Sequence, residues 1–366
     1  MNVKDIRLIN FRNYDNIYLK FNPNVNIFIG KNAQGKTNLL EAIYMCAYGK
    51  SFRTNKNREI INFSKEEAYI GSNMDINNYD KFLEIKMDRV KNKRIRINKN
   101  ELKNYKELYS GLNVVIFSPD DLKMVKEGPS QRRDFMDVGI SKVKPVYSYN
   151  ISRYNKILFQ RNNLLKSNKF KKDLINLLDV FDMQIATIGT SIILERQQYV
   201  EQLSKIANKT HKDISSNIEE LELKYTTNVS ILENKSQMEK SYLNLLKQNF
   251  KKDAESGTTE IGPHKDDIYM TINNKEVRTY GSQGQQRTVV LSLKFSEVEL
   301  IKVERGMYPV LLLDDVFSEL DEERRNYLIS LFKDVQTFIT VTDAIDLKSM
   351  TGLDKSIFYI ENGNFK

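Results

Sequence analysis

The chain has 366 residues, 40% hydrophobic and 29% charged, with a net charge of +9 and a mean hydropathy of −0.52. That fills a core in two domains or in one large α/β unit with an insertion, and the absence of any run near about 18 consecutive apolar residues predicts no membrane span. The single cysteine, Cys46, excludes an intrachain disulfide or a cysteine-cluster metal site and reads as a small core residue.

The basic excess favours a polyanionic partner, nucleic acid before an acidic membrane surface. The start of the chain lacks signal-peptide order, so a cytoplasmic protein is expected. Val3 to Tyr14 begins as a strand-like alternation and ends in a polar turn; Ile17, Leu19 and Phe21 alternate again before Pro23. Arg12 sits at the turn between these strands, where it either touches base or phosphate or is simply a solvated turn arginine.

Residues Asn24 to Tyr48 read as strand, loop and helix. Val25, Ile27 and Ile29 alternate as a short buried strand, and Gly30-Lys31-Asn32-Ala33-Gln34-Gly35-Lys36-Thr37 then matches G-x-x-x-x-G-K-[ST] at every fixed position. Gly30 and Gly35 are expected to take turns closed to a side chain, so that backbone N–H groups point inward at phosphate oxygens. Lys36 reaches the β- and γ-phosphates, the Thr37 hydroxyl ligates Mg²⁺, and the helix carrying Leu39, Leu40, Ile43 and Ala47 aims its positive end at the phosphates. The loop predicts nucleotide binding without naming a reaction.

The basic run Gly49 to Arg58 either clamps a nucleic-acid backbone or is a solvated loop. Strands are expected at Ala68 to Gly71, Phe82 to Met87, Arg94 to Ile97 and Asn113 to Phe117, and helices at Asp121 to Lys126 and from Ser130 onward. From Pro145 to about Lys252 helical periodicity dominates, interrupted by a strand-like patch at Leu221 to Tyr225. No sustained heptads are present, which excludes long coiled-coil arms. Gly262-Pro263-His264-Lys265-Asp266-Asp267 returns the chain to loop and strand; without a second histidine nearby, His264 reads as structural.

Three later segments narrow the chemistry. Tyr280 to Arg287 precedes a helix carrying Val289, Val290, Leu291, Leu293 and Phe295. Val310 to Leu313 is an apolar strand ending in Asp314-Asp315, as a buried central strand does. Ser318-Glu319-Leu320-Asp321, a helix from Glu322 to Phe332 and a strand from Thr337 to Val341 follow. Asp314 is placed to hold Mg²⁺ with Thr37, and Asp315 to orient the attacking water. Ser282, Gly284 and Gln285 at a helix start form a second γ-phosphate cradle. Two cradles on one chain imply a dimer with ATP sandwiched between protomers.

Gly30 to Thr37, Ser282 to Gln285, the Asp314-Asp315 strand and Ser318 to Asp321 resemble the Walker A, signature, Walker B and D-loop of the ABC ATPase superfamily. Leu8-Ile9-Asn10-Phe11-Arg12-Asn13-Tyr14, Ser51-Phe52-Arg53-Thr54, Gly128-Pro129-Ser130-Gln131-Arg132-Arg133, Gly262 to Asp267 and Gly281 to Arg287 resemble, more closely, the bacterial RecF family. The match spans nearly the whole chain and is thinnest from Ile151 to Phe250.

The resemblance implies an α/β fold: an ABC-type ATPase head formed by residues 1–144 and 253–366, with an inserted, mainly helical domain at 145–252. It implies an ATP- and Mg²⁺-dependent homodimer on double-stranded DNA at gaps or single-strand/double-strand junctions, with RecR and RecO as partners in loading RecA. Asp315 replaces the glutamate usual in transporters, and Thr342-Asp343 stand where a switch histidine is common. A weak, DNA-stimulated ATPase acting as a switch is therefore expected. A transporter-type nucleotide-binding subunit is the alternative; the large helical insertion and the basic charge argue against it. A P-loop kinase leaves Ser282 to Gln285 unexplained, and an SMC or Rad50 fragment lacks its coiled coil.

Overall fold

The computed structural model describes residues 1–167, 172–317, 320–342 and 352–365. Two compact units divide the chain, Met1–Asp121 with Lys294–Lys366, and Leu122–Leu293. The first opens with β1 (Asn2–Val3), β2 (Asp5–Phe11), β3 (Tyr14–Lys20) and β4 (Val25–Ile29), then α1 (Lys36–Tyr48). β5 (Glu67–Ile76), β6 (Tyr79–Asp88), β7 (Arg94–Ile97), β8 (Asn100–Glu101) and β9 (Val114–Phe117) follow. All but β4 and β9 form an antiparallel sheet in the order β3-β2-β5-β6-β7-β8, with β1 on β5. Its β5–β6 and β7–β8 hairpins close on Asn77-Asn78 and Asn98-Lys99, both residues of each pair at positive φ. That two-residue geometry matches the strand twist, and asparagine tolerates it.

The second unit holds α2 (Lys123–Lys126), α3 (Pro129–Val143), α4 (Pro145–Lys166), α5 (Lys172–Ile214), β10 (Leu221–Thr226), α6 (Lys235–Gln248) and α7 (Phe250–Ser256). β11 (Asp267–Ile272), β12 (Lys275–Glu276) and α8 (Val277–Tyr280) lead into α9 (Gln283–Arg305), inside which the division between units falls. β10, β11 and β12 make a three-stranded antiparallel sheet. The units thus divide at 121/122 and 293/294, not at 144/145 and 252/253. Pairing across the expected bounds is the reason: Arg196 of α5 pairs with Asp137 of α3 at 2.8 Å and with Asp266 at 3.1 Å. In the same unit Arg132 of α3 grips Asp267 with Nε and Nη2 at 2.6 and 2.9 Å, and Arg133 donates to the Asp266 carbonyl at 2.9 Å. Gly128 to Arg133 and Gly262 to Asp267 therefore interlock in one core.

Residues 176–214 of α5 are long and apolar enough to cross a membrane. The helix nevertheless carries buried Asp182, Arg196 and His211 among its apolar core residues, and Arg196 pairs with Asp137 and Asp266. A helix that sets ionic groups into a protein core is a core helix. His264 is enclosed too: Tyr154 donates its hydroxyl to Nδ1 at 2.8 Å and Nε2–H donates to the Thr259 carbonyl at 2.7 Å. Burial pushes its pKa down to about 4.

Back in the first unit, β13 (Val310–Asp314), α10 (Glu322–Ser330), β14 (Thr337–Val341), β15 (Lys355–Glu361) and β16 (Asn364–Phe365) complete a second sheet, β16-β15-β4-β14-β13-β9. Its strands are parallel except β16. Neither β15 nor β16 is among the sequence expectations. β4, β9, β13 and β14 are buried along their whole length, which accounts for their apolar runs. α1 packs against both sheets and is buried nearly all round, from Leu39 to Tyr48 without interruption. Cys46 lies in that layer, its thiol pushed up to about 12 by burial.

Candidate nucleotide site

The loop between β4 and α1 starts where two parallel strands end. Gly35 sits at φ +114° as the N-cap of α1, a conformation open to glycine. Gly30 is needed for a different reason from the expected turn: a Cβ there would lie 2.5 Å from the Ile360 carbonyl oxygen of β15. Ala33 takes φ +66°, and Lys31, Asn32 and Ala33 are exposed. Lys36 is only 4% exposed; its ammonium donates to the Gly30 carbonyl at 2.6 Å and to the Lys31 carbonyl at 3.3 Å. It is thereby aimed back over the loop.

The two carboxylates arrive from β13. Thr37 Oγ1 donates to Asp314 Oδ1 at 2.9 Å, and Lys36 Nζ lies 3.9 Å from Asp315 Oδ1. The parallel register β4, β14, β13 brings Lys36, Thr37, Asp314 and Asp315 to one sheet edge. Burial raises the Asp314 carboxyl above its usual range, partly offset by the bonds from Thr37 and Thr340 and reinforced by Asp315. A hydroxyl beside a buried carboxylate is a hard-oxygen pair that suits Mg²⁺ when phosphates and water complete its shell. Thr37 and Asp314 thus fit the ion, whose charge would also favour the ionised carboxylate.

Thr340, missed from sequence, supports both acids. Its Oγ1 accepts the Asp315 N–H at 2.9 Å and donates to Asp314 Oδ1 at 3.0 Å. Asp315 itself has φ +51°. The register Asp314↔Thr340 makes this possible, and no local signal announces it. Asn13 donates to the Gln34 carbonyl at 2.9 Å, and Tyr14 donates to the Gly35 carbonyl at 2.9 Å. The β2–β3 turn therefore braces the loop.

Arg12 is committed within the fold, unlike either sequence alternative. Nε and Nη2 donate to Glu41 at 2.8 and 2.6 Å, and Nη1 donates to the Glu59 carbonyl at 2.5 Å. Glu41 lies wholly buried in α1 and also accepts from the Ser51 hydroxyl, with Arg53 at 3.8 Å. Arg53 donates to Asn38 at 2.8 Å, tying the basic run to the helix of the loop.

Ser282, Gly284 and Gln285 lie in the second unit at the start of α9. Ser282 Oγ accepts the Gln285 N–H at 3.2 Å while Gln285 Oε1 accepts the Ser282 N–H at 2.8 Å, a reciprocal cap. Gln285 Nε2 also donates to Glu219 at 2.8 Å, and Ser282, Gln283 and Gly284 are exposed. Ser318, Glu319 and Asp343 lie outside the described residues; Thr342 is an exposed bend after β14.

A family model described as RecF/RecN/SMC N terminal domain matches residues 2–361. The chain is 48% identical over 365 residues to the DNA replication and repair protein RecF of Alkaliphilus oremlandii (strain OhILAs), covering 99% of each. It is similar to a solved structure described as the recombination mediator protein RecF-ATP in the RecFOR pathway, at TM-score 0.92 and 37% identity over 100% of this chain and 96% of that one. An SMC head bound to the C-winged helix domain of ScpA shares the fold at TM-score 0.57 and 14% identity, over 100% and 96%. The architecture is that of an ABC-type ATPase head.

Proposed function

The chain belongs to the RecF family, and from that premise we propose that it is an ATP-dependent DNA-binding switch of recombinational repair and replication restart. One arrangement carries the reading: Lys36, Thr37, Asp314 and Asp315 meet where β4 and β13 end, within 2.9 and 3.9 Å of each other in pairs. Lys36 takes up phosphate charge as it exchanges loop carbonyls for phosphate oxygens. Thr37 and Asp314 hold Mg²⁺, which when bound neutralises charge on the phosphates. Asp315 orients the attacking water. It is shorter than glutamate and tied through its backbone to Thr340, which supports slow hydrolysis.

Ser282, Gly284 and Gln285 serve the γ-phosphate of a second copy, so that ATP closes a homodimer on DNA at gaps or single-strand/double-strand junctions. RecO and RecR would act with it to load RecA, in the cytoplasm at the nucleoid. Family membership and the relatives' names support this, as does the basic charge.

Sedimentation and gel shifts on gapped, duplex and single-stranded DNA, each with and without ATP, test the proposal. Lys36→Ala should abolish ATP-induced dimerisation. Ser282→Arg should block the dimer while monomers still bind ATP. An ATP-independent dimer indifferent to both changes, or no DNA affinity in any state, sinks it.

A further inference from the structure

Phe63 is 99% exposed and Val90 88% exposed, on two loops that are stitched together. Arg89 does the stitching: Nε donates to the Lys65 carbonyl at 2.8 Å, and Nη2 to the Asn62 and Phe63 carbonyls at 3.1 and 3.2 Å. Arg58 donates in turn to the Arg89 carbonyl at 3.2 Å. Phe63 is thus a large aromatic face held out on a braced turn with no packing of its own.

The surroundings are basic. Residues 56–66 and 86–93 carry seven Lys or Arg and three acids, a net of +4 on 19 residues in a chain whose total is +9. Of those acids, Glu59 accepts from Thr54 and pairs with Lys56, and Asp88 lies 4.0 Å from Lys91. A flat aromatic on tied loops that also carry exposed Lys65, Arg58 and Lys91 joins a π-face to phosphate-gripping charge, the pairing that single-stranded nucleic acid fits. A membrane surface would call for more apolar area than two side chains.

We infer that Phe63 is a base-stacking wedge that docks on the exposed base at a single-strand/double-strand DNA junction while the surrounding cations hold the flanking phosphates. An intact duplex keeps its base faces stacked on each other, so a wedge of this kind discriminates junction from duplex without reading sequence. The same segment is anchored to the nucleotide loop's helix. Arg12 N–H donates to the Ile60 carbonyl at 2.7 Å and its guanidinium to the Glu59 carbonyl, while gripping Glu41 of α1. The wedge therefore stands on the same brace as the nucleotide loop.

The inference rests on the DNA-binding reading, and one experiment separates the two. Gapped duplex carrying 2-aminopurine at the first unpaired position, and blunt duplex of the same length, are titrated with the full chain plus ATP by anisotropy and base fluorescence. Phe63→Ala should lower affinity for gapped DNA about 5- to 100-fold and abolish the fluorescence change, with duplex affinity altered less than about twofold. Phe63→Trp should restore both, and Lys65→Glu with Lys91→Glu should weaken both DNAs and flatten the salt dependence. A Phe63→Ala chain that binds gapped DNA like the unaltered chain overturns the wedge alone. An unaltered chain that binds neither DNA overturns the DNA reading and the wedge with it.

Discussion

Arg12 closes on Glu41 with two parallel bonds, 2.8 and 2.6 Å, although the two residues lie on different elements and Glu41 is completely buried. A buried carboxylate stripped of its cation is costly, whereas removing both partners is often nearly neutral. Arg12→Met should therefore destabilise the chain by about 3 kcal/mol, the low end for such pairs because Ser51 and Arg53 still face Glu41. Arg12→Met with Glu41→Met should recover most of that loss in denaturant unfolding. Equal losses for the single and double variants would show that the pair is not the source of the cost.

Thr340→Val keeps the shape of the strand but removes the partner of the Asp315 N–H and a donor to Asp314. Hydrolysis should fall about 10- to 100-fold, the consequence of losing one or two well-placed hydrogen bonds. Nucleotide affinity, set mainly by the loop, should change less than about threefold. Steady-state phosphate release and a fluorescent-nucleotide titration separate the two quantities.

The two loop glycines should fail in different ways. Gly30→Ala drives a methyl against the β15 carbonyl and should lower stability by about 1–3 kcal/mol. Gly35→Ala forces a side chain into φ +114° at the helix start and should chiefly abolish nucleotide binding. Thermal melts and nucleotide titrations of both variants, run side by side, decide the matter; indistinguishable profiles would count against it.

His264 gives a pH signature. Its folded pKa, about 4, lies below its ordinary value of 6.5, so the unfolded chain binds the extra proton between those values. Stability from this group is full above pH 6.5 and is lost as the pH falls toward 4. At pH 5 the loss should be about 2 kcal/mol. His264→Gln keeps an acceptor for Tyr154 and a donor for Thr259 but cannot titrate, so its unfolding midpoint should fall less from pH 7.5 to pH 5. A parallel fall in both proteins would contradict this.

Local chemistry was legible wherever one segment carried the whole signal. Gly30 to Thr37, the β4 alternation and the Val310 to Asp314 run each announce their own structure. Thr340, Glu41 and Arg12 were not legible in role, because each acts through a residue brought near only by strand register or by α1 lying between two sheets. The compact units differ from the expected bounds for the same reason: Arg196 of the helical stretch pairs with Asp266, 70 positions on. β15 went unread although Ile357, Tyr359 and the Asn362-Gly363 turn carry a hairpin pattern. Its place against β4, and with it the reason Gly30 must be glycine, is visible only once the sheet is assembled.

The reciprocal cap at Ser282 has a chemical consequence for how a phosphate would be sensed. The hydroxyl oxygen accepts from Gln285 through a lone pair, which leaves its proton free to turn outward. One atom thus both fastens the first turn of α9 and remains a donor, so engaging an anion demands no unwinding. Aspartate would fasten the turn equally well yet offer a like charge in place of a proton. The contact could then be silenced by a substitution that leaves the helix intact, which makes recognition and folding separable at a single side chain.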